Sequence, residues 1–116
     1  MDLLIGVVGP CAAGKSTLIA GLRASGYKAK HIAQEHSYVP YMWQKITNPD
    51  LLIYLDVSYP VTVDRRKLNW TEDEYQIQVD RLSHARQHAD LYIRTDQLAI
   101  EDVLKAALDY LHQHIV

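Results

Sequence analysis

Thiols are almost absent from this sequence: Cys11 is the lone cysteine in 116 residues. That excludes an internal disulfide framework and a multi-thiolate metal centre, and it fits a reducing cytoplasm. Long hydrophobic runs are absent too. No apolar segment approaches the roughly 20 residues of a membrane span, and the first residues lack a charged stretch leading into a secretory apolar core. A cytoplasmic chain with no membrane partner is therefore expected. Charge of one sign is also lacking, since 12 Lys and Arg stand against 14 Asp and Glu, a formal net of −2. Such a balance gives no general attraction to nucleic acid, so any polyanion site has to be local. Nor is there an internal repeat, a low-complexity tract or a linker. A single domain spanning 1–116, built on one core, is the expectation.

What is present alternates between two patterns. Residues 3–8 and 51–57 are short runs apolar on both faces, as buried parallel strands are. Residues 27–34 alternate and predict a weaker strand, and 90–95 a last short one. Between them lie helical stretches. The first runs from Lys15 through Leu18, Ile19 and Leu22, with Gly26 placed to cap it. Residues 35–48, rich in aromatics, are expected to be partly helical. Pro60 suits the first turn of a helix over 61–68. Thr71 with Glu74 makes a capping box for a helix whose stripe is Tyr75, Val79, Leu82 and Ala89. A final helix carries Ile100, Val103, Leu104, Ala107, Leu108, Leu111 and Ile115 at helical spacing. Strands alternating with helices predict an α/β fold, with a sheet of about four to five mostly parallel strands covered on both faces.

Between the first strand and its helix stands Gly9-Pro10-Cys11-Ala12-Ala13-Gly14-Lys15-Ser16-Thr17. Gly9, Gly14, Lys15 and Ser16 match the spacing of the phosphate-binding P-loop (Walker A), and the flanking strand and helix are the right context. Small residues let successive N–H groups curl around an anion, and the helix start adds unpaired donors and a positive dipole end. Lys15 is expected to reach the β- and γ-phosphates of ATP, and the Ser16 hydroxyl to hold Mg²⁺. Cys11 reads first as a small residue that fits the turn.

Four stretches together resemble the P-loop nucleotide and nucleoside kinases, the group of adenylate, thymidylate and deoxynucleoside kinases. Besides the loop they are QEHSYVPYMW at 34–43, DLLIYLDVS at 50–58 and ADLYIRTDQLAIEDVLKAAL at 89–108. The resemblance implies a three-layer P-loop NTPase sheet and transfer of a phosphoryl group from ATP, with Mg²⁺, to a small nucleotide or nucleoside. It is to a nucleoside monophosphate kinase-like enzyme, although 116 residues leave no room for a lid and acceptor insertion of the family's normal size. In the deoxynucleoside kinases a glutamate followed by a tryptophan serves the acceptor hydroxyl, which nominates Glu35. Parallel-sheet topology independently puts the end of the second strand beside the loop, where Glu35 would serve as base or order a water on Mg²⁺. Asp56, ending the third strand, is the second acid for the metal.

The family's lid position nominates Arg65 and Arg66 for phosphate contacts, through a bidentate fork. Arg81, Arg86 and Arg94 follow, and the loop 95–97 is placed by the resemblance near the base. Tyr38, Tyr41 and Trp43 suit either stacking on an acceptor base or core cover. His84 and His88 share a helix face, but without a third metal ligand they read as exposed histidines, as do His112 and His114. Two functions stay open. One is an ATP-dependent kinase acting on a nucleoside monophosphate, with a nucleoside close behind. The other is a regulatory or assembly NTPase with slow, acceptor-independent hydrolysis. A homo-oligomer, in which a neighbour covers the phosphates, would reconcile them.

Overall fold

The computed structural model describes residues 3–66 and 69–114. Four strands, β1 (Leu4–Val8), β2 (Lys28–His31), β3 (Leu51–Asp56) and β4 (Leu91–Arg94), form one all-parallel sheet in the order β2-β1-β3-β4. The two runs apolar on both faces became the two central strands, because only a strand covered on both sides can bury every side chain. Leu52, Ile53, Tyr54 and Leu55 of β3 are all buried.

Side chains alternate across the sheet and feed two cores. On one face Ile5, Val7, Ile53 and Leu55 meet helices α1 (Lys15–Ala24) and α6 (Ile100–His114) through Leu18, Leu22, Ala107 and Leu111. On the other, Val8, Leu52 and Tyr54 meet Trp43 of α2 (Met42–Ile46), Leu82, and Ala85 of α5 (Ser83–His88). The fold is therefore α/β with a four-stranded parallel sheet and helices on both faces. No helix among the described residues is long and apolar enough to cross a membrane.

Several expected boundaries shift. The alternation over 27–34 overruns the strand: after Ile32 N–H bonds Val7 O, the chain turns into a 3₁₀ turn at Gln34–His36. Ile32 and Gln34 are buried, so they mimic a strand pattern from within a turn. Helix α3 spans Tyr59–Arg66, and the remainder of the predicted 61–68 segment lies outside the described residues. Thr71 and Glu74 do form the reciprocal capping box at the start of α4 (Glu72–Arg81). The stripe from Tyr75 to Ala89 is divided, because Leu82, at φ −91° and ψ −4°, separates α4 from α5. Ile115, the last residue of the predicted C-terminal stripe, lies outside the described residues.

Candidate functional site

The C-terminal ends of β1 and β2 and the start of α1 meet at a cavity of about 660 Å³. Residues 11–18 form its floor, with His31, Glu35 and His36 on one side and Arg65, Thr95, Leu98, Ile100 and Val103 on the other. The loop's backbone explains its composition. Gly9 passes so close to β3 that a Cβ there would lie 2.1 Å from Leu55 O. Gly14, the N-cap of α1, has φ 94°, a conformation that disfavours any side chain. Ala12 also takes the left-handed conformation, φ 69°, at a cost of roughly 1–2 kcal/mol. Such turns gather N–H groups into an anion-binding concavity. The first bond of α1 runs from Leu18 N–H to Gly14 O, so the N–H groups of Lys15, Ser16 and Thr17 have no intrahelical acceptor. Ser16 and Thr17 are exposed on the cavity floor.

Lys15 is only 8% exposed. Its ammonium donates to Gly9 O, to Pro10 O at 3.2 Å and to Glu35 Oε2 at 2.7 Å. Glu35 is 2% exposed. One carboxylate oxygen holds the lysine, while the other, Oε1, is buried without a hydrogen-bond partner. The imidazoles of His31 and His36 stand 4.0 and 3.9 Å from Oε2. Burial lowers the His31 pKa below its ordinary 6.5, and the Lys15 ammonium adds to that shift while the Glu35 carboxylate opposes it.

The structure thus brings the loop residues 9–17, Glu35 and Arg65 together. It does not bring Asp56 there. That carboxylate accepts from Val57 N–H at 2.9 Å and from the Tyr92 hydroxyl on the neighbouring strand, and Asp56 does not line the cavity. Asp56 therefore serves the end of β3 and its junction with β4, not the metal position expected of it. Arg65 acts as a staple: its guanidinium donates to Ala12 O, Thr95 Oγ1 and Thr95 O, tying the loop to the end of β4. The side chain of Arg66 lies outside the described residues. Arg81 donates to Glu35 O and lies 4.4 Å from the Tyr38 ring. Arg86 stacks over Tyr54 and Tyr92, Arg94 pairs with Asp96, and neither lines the cavity.

Of the aromatics, Trp43 is core and donates to His84 Nδ1, whereas Tyr38 is 86% exposed. His84 and His88 stack on each other, 4.2 Å between ring centroids.

Sequence reasoning missed Gln78. From α4 its Oε1 accepts Cys11 N–H at 3.0 Å and its Nε2 donates to Cys11 Sγ at 3.2 Å. A glutamine on the stripe shared by Tyr75 and Leu82 was the available signal, because a polar residue on a core-facing stripe needs a partner. Leu98, Ile100 and Val103, also missed, give the cavity an apolar wall. No protein-family model and no curated protein matches this chain.

Proposed function

We propose that this chain is a small Mg-ATP-dependent phosphotransferase of the P-loop kinase kind, acting in the cytoplasm on a nucleoside monophosphate, with a nucleoside as the next acceptor. The observation that carries the proposal is Lys15, a buried ammonium at the head of α1, in a loop whose residues 11–17 line the same cavity and whose Lys15, Ser16 and Thr17 N–H groups have no intrahelical acceptor. Triphosphate recognition draws on those parts: amides for the phosphate oxygens, the helix start for their charge, and Lys15 once it exchanges the Gly9 and Pro10 carbonyls for phosphate. The apolar wall of Leu98, Ile100 and Val103 suits a base face.

The donor set fits Mg²⁺. The Ser16 hydroxyl and the unpartnered oxygen of Glu35 are the oxygens that would hold it, the latter through water. When bound, the ion neutralises charge on the terminal phosphates. Glu35, fixed by Lys15, orients the acceptor or ordered water rather than moving freely as a base. Arg65 keeps the loop and the β4 end in register.

The second reading is a regulatory or assembly NTPase with slow, acceptor-independent hydrolysis. The commitment of Arg65 to three acceptors within the chain favours it, since a cation so held does not follow a moving phosphoryl group. ADP release from Mg-ATP, measured with and without a panel of nucleosides and monophosphates, separates the two. Acceptor-dependent release supports the kinase and acceptor-independent release the NTPase. Absence of calorimetric heat with any Mg-nucleotide overturns both.

A further inference from the structure

We propose that Cys11, Glu35 and His36 form a binding site for a soft divalent cation, Zn²⁺ being the type, at the side of the phosphate loop. One ligand atom from each, a sulfur, a carboxylate oxygen and a ring nitrogen, lie within 4.8 Å of one another. They come from two places in the chain that the strand order makes neighbours: the loop after β1 and the 3₁₀ turn after β2.

An independent observation points to a ligand. Glu35 Oε1 is buried and unpartnered in a residue 2% exposed. An orphaned buried carboxylate oxygen costs on the order of 1–3 kcal/mol or more. Oε2 is held by the Lys15 ammonium and lies 3.9 Å from His36 Nε2, so a cation at the cluster meets a carboxylate whose second oxygen is still without a partner.

The donor set selects the metal. Mg²⁺ takes oxygen ligands in near-octahedral geometry, whereas thiolate with imidazole and one carboxylate suits tetrahedral Zn²⁺. With metal–ligand bonds of about 2.0–2.3 Å, tetrahedral ligands stand roughly 3.4–3.7 Å apart. The cluster therefore has to close by little more than an ångström. His36 is exposed and Cys11 only half-buried, so both have room to do so. The remaining position falls to water or to His31, whose Nε2 lies 4.0 Å from the same carboxylate.

Binding releases the Cys11 proton to solvent, and the resulting thiolate joins the Glu35 carboxylate against the ion; with the Lys15 ammonium 2.7 Å from that carboxylate, the cluster keeps one net positive charge. Gln78 Nε2–H already donates to Cys11 Sγ, an outer contact that orients the sulfur. The site is assigned to the chain without added nucleotide and stands whether or not the loop binds one. Only its consequence, that zinc withdraws Cys11 and Glu35 from the phosphate cavity, rests on the proposed function.

Cobalt(II) is the probe. Titrated into the full chain at neutral pH without nucleotide, it is expected to give the d–d bands of a tetrahedral site and a thiolate charge-transfer band, both abolished by one equivalent of Zn²⁺. Cys11→Ser is expected to remove the charge-transfer band, and His36→Gln, at an exposed position, to weaken Zn²⁺ by about tenfold or more. Unaltered binding in either variant, or no cobalt spectrum in the wild type, overturns the site. Zn²⁺ protection of wild-type Cys11 from alkylation supplies a measurement that depends on no variant. Equal labelling with and without the ion also overturns it.

Discussion

Replacing Lys15 with Met tests the buried pair at the centre of the site. Across 2.7 Å, at an effective dielectric of about 20, the gross attraction is roughly 6 kcal/mol. Most of it offsets the desolvation of two charges. The consequences of breaking the pair are unequal, because the partners are unequally supported. Without Glu35, the ammonium keeps two carbonyl acceptors, Gly9 O and Pro10 O. Without Lys15, Glu35 keeps no hydrogen bond to either oxygen, only two imidazoles at 3.9 Å or beyond.

Lys15→Met should therefore cost about 3–5 kcal/mol, as stranding a buried charge does. Glu35→Gln should cost about 1–2 kcal/mol. The double variant has no charge left to strand, so its loss should fall short of the sum by roughly 2–3 kcal/mol. Urea denaturation followed by the fluorescence of Trp43 and Trp70 gives all three values. At roughly 4 °C per kcal/mol for a domain of this size, the lysine variant should also melt well below the glutamine variant. Additive losses, or a larger loss for Glu35→Gln, would refute the reasoning. The cycle also means that loss of activity in a Lys15 variant has to be separated from loss of fold.

Three further outcomes follow. Gly9→Ala should cost about 3 kcal/mol or more by overpacking, since its Cβ would meet backbone, Leu55 O at 2.1 Å, while Gly14→Ala meets nothing within 4 Å and loses only about 1–2 kcal/mol to strain; the reverse order in urea denaturation would count against the loop geometry. Gln78→Ala removes both the acceptor for Cys11 N–H and the donor to its sulfur, so a loss of about 1–2 kcal/mol and faster alkylation of Cys11 are expected, with an unchanged labelling rate as the contrary result. His31 should titrate below 6.5 in the folded protein, because burial and Lys15 disfavour its cation and outweigh Glu35. The unfolded chain then binds the extra proton more readily, so this residue's contribution is intact above about pH 6.5 and lost as pH falls toward the folded value. An NMR midpoint at or above 6.5 would sink that assignment.

How much of this was legible from residues alone depends on whether the cause is local. The first strand, loop and helix were readable because apolar period, glycine spacing and helix start all act within 20 consecutive residues. The Thr71–Glu74 cap is local in the same way. Glu35 was reachable because parallel topology puts the ends of neighbouring strands together, and β2 does lie beside β1. Asp56 failed for the opposite reason. It ends a strand, as a metal-binding acid would, but its fate is decided by β4, whose register sets Tyr92 opposite Tyr54 and within reach of the carboxylate. Nothing in the order of residues announces that hydroxyl. The division of the Tyr75–Ala89 stripe at Leu82 was equally hidden, since the apolar period continues through it.

Arg65 shows where such reasoning has to change its chemistry rather than its position. Read as a cation for phosphates, it was expected in the cavity, and it lines the cavity. Yet three of its five N–H donors are committed to Ala12 O, Thr95 Oγ1 and Thr95 O, and a guanidinium held so acts first as a structural tie. Lys15 commits all three of its donors as well, but two of them go to the Gly9 and Pro10 carbonyls, contacts of the kind a phosphate oxygen outcompetes, charge for dipole. In the proposed reading, phosphate recognition accordingly falls on one buried ammonium and a fixed cradle of amides. Tight binding is within the reach of such a set. Rapid transfer asks for further positive charge near the moving group, and that requirement is why acceptor-dependent ADP release, rather than nucleotide affinity, is the measurement that decides between the two proposed activities.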